Sequence, residues 1–153
     1  MKRIEVVRKH IDEILLNVPD NFMRRCGYLH LYGVSQACTM IAMKRNEDVE
    51  LATIAGMLHD IYTYAKMDSK DHAQKGAIMA KEILVSMKLF DEKEINLICN
   101  AIHNHSDKTR THSSFSEVLI DADVLQHCLY NPYHDIATHE VERFQNLKIE
   151  FGF

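Results

Sequence analysis

The chain has 153 residues, of which 26% are charged, and a net charge of −4. That is one domain's worth of chain with the composition of a soluble globular protein, and it argues against a wholesale nucleic-acid or membrane surface. The opening stretch MKRIEVVRKHIDEILLN carries charge in every turn and does not read as a signal peptide, and no segment approaches the roughly 18 apolar residues of a membrane span.

Two prolines and five glycines leave little turn punctuation, and no stretch alternates as a strand would. The predicted class is therefore all-α: a single helical domain over residues 1–153, without an internal linker, built of six or seven helices. The first runs from about Lys2 to Leu16 and stops at NVPDN around Pro19. The second covers roughly Arg24 to Lys44. Asp48 is a predicted N-cap for a third helix, which carries His59–Asp60 at the end of its apolar run. YTYAKMDSKD reads as a polar connection, after which Ser69 or Asp71 caps a fourth helix through Met87. The DEKE of Asp91 to Glu94 is a capping-box pattern that opens a fifth helix reaching about His103. The loop NHSDKTRTHSS follows. Ser114-x-x-Glu117 resembles a second box and opens the sixth helix, which Pro132 ends. A seventh, amphipathic helix is expected over about residues 135–150.

Four cysteines (Cys26, Cys38, Cys99, Cys128) are scattered without a C-x-x-C, which predicts free thiols in a reducing cytoplasm. Ten histidines are the unusual count, and histidine is the commonest protein metal ligand. In ATIAGMLHDIYTY, the pair His59–Asp60 sits inside an apolar helical pattern. Burying a carboxylate beside an imidazole costs free energy unless something pairs with both. Ala52, Ala55, Gly56 and His59 lie near one stripe, so small residues let a neighbouring helix approach this histidine. The plain alternative is a neutral core histidine next to an exposed aspartate.

The sixth helix, VLIDADVLQHCL, is apolar nearly all round and so reads as buried. It nevertheless contains Asp121 and Asp123, and buried charges are paired or coordinate metals. Periodicity does not choose between the two aspartates. A salt bridge to a core Lys or Arg is the competing explanation, although that helix and its apolar neighbours offer few such partners. His30 lies inside an amphipathic helix, while His72, His103 and His105 stand near helix ends. Singly, each reads as an ordinary core or surface histidine. Together, imidazoles and carboxylates on several helices suit iron, manganese, zinc, nickel or cobalt better than calcium.

The order His30 … His59–Asp60 … Asp123 on an all-helical chain resembles the HD-domain metal-dependent phosphohydrolase superfamily over about residues 22–130. YLHLYGVSQACTMIA resembles its first histidine helix, ELATIAGMLHDI its A.LLHDI signature, and DADVLQ its AD.L helix. The last of these favours Asp123 over Asp121. DHAQKGAIMAKEIL and EINLICNAIHNHSDK resemble segments of members that hold two metals, among them bacterial enzymes that cleave diadenosine tetraphosphate symmetrically. By that resemblance His72 and His105 complete a second site, Asp60 bridges the two ions, and His103 is not a ligand. Two features depart from the pattern. Thr63 stands where many members carry a lysine three residues after the aspartate, and NHSDK differs from the HT.G of the tetraphosphatases.

The resemblance implies a hydrolase that attacks a phosphate ester or anhydride, in a nucleotide, with water activated by two divalent metals: iron, manganese, nickel, cobalt or zinc, with magnesium also allowed. Lys108, beside His105 in a basic loop with Arg110 and His112, is the expected phosphate contact, and Lys66 and Arg143 are weaker ones. Two other readings stay open: a di-iron oxygenase-type HD protein, and a metal- or nucleotide-binding helical module without catalysis. The expected partner is a phosphorylated small molecule, with a homodimer allowed and neither nucleic acid nor membrane engaged.

Overall fold

The computed structural model describes residues 2–153, and among them the chain forms eight helices and no strand. α1 (Arg3–Leu16) buries Val7, Ile11 and Leu15, one residue per turn on a single face. α2 (Asn21–Arg45) starts three residues earlier than the sequence predicts, because the Asp20 carboxylate accepts from the Met23 amide at 2.7 Å. α3 (Val49–Leu58), capped by Asp48, is buried along its whole length from Leu51 and forms the centre of the molecule. α4 (Ile61–Lys66), α5 (His72–Met87), α6 (Glu92–Asn104), α7 (Ser114–Tyr130) and α8 (Val141–Phe151) follow.

α2 packs along α3 on one side and α7 on another, while α5 and α6 pair and close the bundle. The small-residue stripe has the expected use: a Cβ added to Gly56 would lie 2.6 Å from the Ser35 Cα. The two helix backbones therefore touch there, and the Ser35 hydroxyl donates to the Thr53 carbonyl at 2.9 Å. Arg3 ties α1 to Glu50 on α3 and Glu94 on α6 at 2.6 and 2.8 Å. Arg45 at the end of α2 reaches Glu150 on α8 at 2.7 Å. The four cysteines are free, and among the described residues no helix is long and apolar enough to cross a membrane.

Several local expectations change, and the last helix, expected over about residues 135–150, begins only at Val141. α4 occupies part of the stretch read as a polar connection; six residues are too short to show a helical period in sequence. The third helix ends at Leu58, so His59 and Asp60 lie at the break between α3 and α4 and not within a continuous helix. The capping box at Asp91 and Glu94 forms as predicted, but the next one shifts by a residue. Ser113 caps α7 by accepting from the Ser116 amide, and Glu117 turns back to the His112 amide at 2.9 Å.

Candidate metal centre

The break after α3 aims His59 inward. Its Nδ1–H donates to the Gly56 carbonyl at 2.8 Å, a group left over by the end of the helix. His105, at the C-terminus of α6, donates in the same way to Ile102 three residues back, at 2.6 Å. His72, at the start of α5, does so to Ser69 at 3.1 Å. His30, on α2, places its Nδ1 2.8 Å from the Gln126 side-chain oxygen on α7. A carbonyl oxygen only accepts, so each ring carries a proton on Nδ1, and in the neutral ring the Nε2 lone pair faces the interior.

Those four lone pairs converge on two carboxylates. The Nε2 atoms of His30 and His59 are 3.0 Å apart. Asp60 Oδ2 lies 3.3 Å from His30 and 3.6 Å from His59, while Asp60 Oδ1 lies 3.2 Å from His105 and 3.6 Å from His72. One oxygen of the same carboxylate thus faces each histidine pair. Asp123 Oδ1 approaches His30 at 3.5 Å and His59 at 3.8 Å. Asp60 Oδ1 and Asp123 Oδ1 are buried without a hydrogen-bond partner. Acceptors facing acceptors in a buried site repel and remain desolvated unless a cation lies between them. The donor set, imidazole nitrogen with carboxylate oxygen, is that of a divalent transition-metal site, and each ring's Nδ1–H is anchored as a ligating histidine requires.

Electrostatics show imidazoles crowded against carboxylates: burial opposes protonation of His30 and His105, but Asp60 and Asp123 outweigh it and raise both above the ordinary 6.5. Burial draws His59 down to about 4, so it stays neutral. Burial works against ionising Asp60, yet His59, His105 and His30 hold its carboxyl well below the usual range. The same opposition operates at Asp123, where the Lys108 ammonium is the main force keeping it ionised.

The expected site residues His30, His59, Asp60, His72, His105 and Asp123 are therefore all brought to one place from five segments of the chain. His103, the residue after Ile102, is exposed and takes no part. Asp121 turns the other way, to Arg45 at 2.8 Å and Arg143 at 2.9 Å, so for this aspartate the salt bridge is the right explanation. The partners that α7 itself lacks come from α2 and α8.

Lys108 differs from its expected role. Its ammonium lies between Asp123 Oδ2, at 2.8 Å, and the Glu140 carboxylate, with the side chain almost fully buried. It neutralises the Asp123 carboxylate and is not free in the cleft. Lys66 lies at the exposed end of α4, on a different cleft with Tyr62, Lys75 and Glu82. Arg143 tethers the basic loop, donating to the Lys108 and Arg110 carbonyls at 2.9 and 2.8 Å.

A cleft of about 440 Å³ opens onto the cluster, with Phe22, Cys26, Leu29, Tyr64 and Tyr130 as walls and His30, Asp60, Gln126 and His127 at the polar end. His127, Gln126 and Glu140 are the residues that the sequence reading missed. His127 was within reach, one turn after Asp123 on the same helix. Glu140 was not, because it comes from the loop before α8.

The family model for the HD domain matches residues 27–128, more than half of the chain. Ribonuclease Y of Staphylococcus epidermidis, in each of two strains, is 26% identical over 170 residues, covering 95% of this chain and 31% of the relative. The chain thus spans under a third of the length of these curated relatives. The crystal structure of a predicted HD superfamily hydrolase from an uncultured Thermotogales bacterium has the same fold, with a TM-score of 0.63 at 23% identity, covering 99% of this chain and 95% of the other. The matched segment runs from the helix of His30 through the His59–Asp60 break to the helix of Asp123, and the chain belongs to the HD domain family.

Proposed function

We propose that this protein is a metal-dependent phosphohydrolase of the two-metal kind, acting on a phosphate ester or anhydride of a nucleotide. The observation that carries the reading is the placement of Asp60, with one carboxylate oxygen toward His30 and His59 and the other toward His72 and His105. A carboxylate has the lone pairs to bridge two cations. Two cations held there would supply Lewis acidity at a phosphoryl oxygen and a water acidic enough to attack at neutral pH.

The chain's own residues do the rest. The Nδ1–H bonds of His59, His72 and His105 to backbone carbonyls three residues back fix the rings before anything binds. Lys108 offsets the second oxygen of Asp123 and lowers the cost of burying it. The cleft brings aromatic and aliphatic walls, and no Lys or Arg among its lining residues. Its volume is that of a small-ligand site. Phe22, Tyr64 and Tyr130 suit a planar base, leaving phosphate charge to the metal centre. The likeness to ribonuclease Y supports phosphoester chemistry.

The test is metal content of the full chain purified without chelators, followed by turnover of nucleotides and simple phosphoesters with manganese, cobalt, nickel, zinc, iron or magnesium. Two bound ions and phosphate release are expected. Asp60→Ala should lose both and leave helix content unchanged. Oxygen consumption by a bound iron pair in place of phosphate release would move the protein to the oxygenase reading. Bound metal without any turnover would leave a binding module.

A further inference from the structure

His127 stands one helical turn after Asp123 on α7, at the mouth of the cleft. Its Nε2 is 3.3 Å from Asp123 Oδ1. Its ring stacks on that of His30 at 5.3 Å between centroids, with 11° between the planes. One ligand atom from each of His30, Asp123 and His127 lies within 4.8 Å of the other two. On the far side of the ring, Nδ1 is 3.0 Å from Glu140 Oε1. Glu140 is buried against the Lys108 ammonium, which donates to it, so its oxygen also accepts from His127 Nδ1–H. Lys108 in turn holds Asp123 Oδ2 at 2.8 Å. Four side chains therefore close a ring: Asp123, Lys108, Glu140 and His127.

This ring leaves one contact unexplained. With its proton on Nδ1, His127 turns its Nε2 toward Asp123 Oδ1, which is buried and has no hydrogen-bond partner. The arrangement matches that of His30, His59, His72 and His105, with Nε2 inward and the Nδ1–H anchored. Here the anchor is a carboxylate, a common support for a ligating imidazole. His30 offers one lone pair, so it cannot serve two ions through Nε2. His127 and the other donors must then meet at the same ion.

We propose that His127 is a further protein ligand of the ion held by His30 and Asp123, entering from the cleft side and oriented by Glu140. The proposal rests on the metal reading given above. It makes Glu140 and Lys108 positioning residues: they hold a ligand and touch no substrate. An imidazolium at His127, ion-paired to both carboxylates, is the competing arrangement, and it predicts the opposite sign. Removing a positive charge beside a cation site would tighten metal binding, whereas removing a ligand weakens it.

The experiment is a cobalt(II) titration of the chelator-stripped full chain, read by visible absorption, for wild type, His127→Ala, His127→Gln and Glu140→Gln. His127 is 43% exposed, so truncation should leave the circular dichroism and melting of the metal-free protein unchanged. Loss of the ligand should weaken the affected ion's binding at least about tenfold and alter the absorption bands in both His127 variants. Glu140→Gln, which changes only the support, should lower affinity by about tenfold with the bands retained. Cobalt affinity and spectrum unchanged or tightened in His127→Ala would overturn the proposal and leave the metal centre standing. No cobalt bound by wild type would overturn both.

Discussion

Asp121 and Asp123 are two residues apart on one buried helix, and their surroundings give them different work. Asp121 is satisfied by Arg45 and Arg143. Asp123 gives one oxygen to Lys108 and leaves the other without a partner among histidines. Asp123→Asn should therefore cost bound metal, because an amide is a weak ligand for these ions. Asp121→Asn should keep the metal and lose about 2 kcal/mol of stability, the order of a charged hydrogen bond removed from a buried acceptor. Metal analysis and urea unfolding on the two variants would show this, and metal loss in the Asp121 variant would reverse the assignment. The neighbouring Glu117 gives a pH test. Burial pushes its carboxyl up, but the Arg143 guanidinium and the His112 amide outweigh this and hold it below its ordinary 4.5. A group with a depressed folded value stabilises above its unfolded value, and that contribution is lost as pH falls through the folded one. Glu117→Gln should therefore lower the urea midpoint at pH 7, and its gap from wild type should close as the pH drops below 4.5. A gap that persists in acid would mean that Glu117 acts through packing alone.

At the scale of the element, the centre is assembled from helix ends. His59 and His105 occupy C-terminal positions of α3 and α6, His72 opens α5, and each ring bonds a backbone carbonyl three residues back. The close approach of α2 and α3 then sets the distance between His30 and His59. Gly56→Ala should be felt at that point, because its Cβ would meet the backbone of Ser35 at 2.6 and 2.8 Å and no flexible side chain can yield. The expected loss is about 2 kcal/mol or more, accompanied by weaker metal binding as the two histidines separate. Unchanged cobalt affinity would show that the site tolerates movement of α3. Much of this was legible in the sequence where the signal is local. Asp48 and the Asp91–Glu94 box mark helix starts, and the small-residue stripe marks a close approach. The helix break at His59 was not legible, because Leu51, Ile54, Leu58 and Ile61 keep one period straight across it. Nor was the pairing of Lys108 with Asp123 and Glu140, which joins a loop, α7 and the segment before α8. Spacing along the chain carries no information about such a contact; the family resemblance supplied the ligand order, and the fold supplied the partners.

At the scale of the whole molecule, the candidate ligands come from α2, the α3–α4 break, α5, the end of α6 and α7. Those elements share a single apolar core, but the cluster crosses that core with groups that repel one another when left alone. Metal binding would replace this repulsion with bonds that join five segments, so it should add to folding stability. An ion present at about a thousand times its Kd stabilises by about 4 kcal/mol. In a domain of this size that corresponds to a rise of about 10 °C in melting temperature. The expected outcome is a melting point that climbs by that order when cobalt or manganese is added to chelator-stripped protein. His72→Ala should melt like wild type in EDTA, because that side chain is 30% exposed and bonds only its own Ser69 carbonyl at 3.1 Å. With metal it should keep part of the rise, since on the proposed ligand set His30, His59, Asp60 and Asp123 would still hold one ion. Asp60→Ala should show no rise at all. If wild type melts at the same temperature with and without metal, the ions do not staple these helices, and the buried carboxylates must be balanced by protons instead.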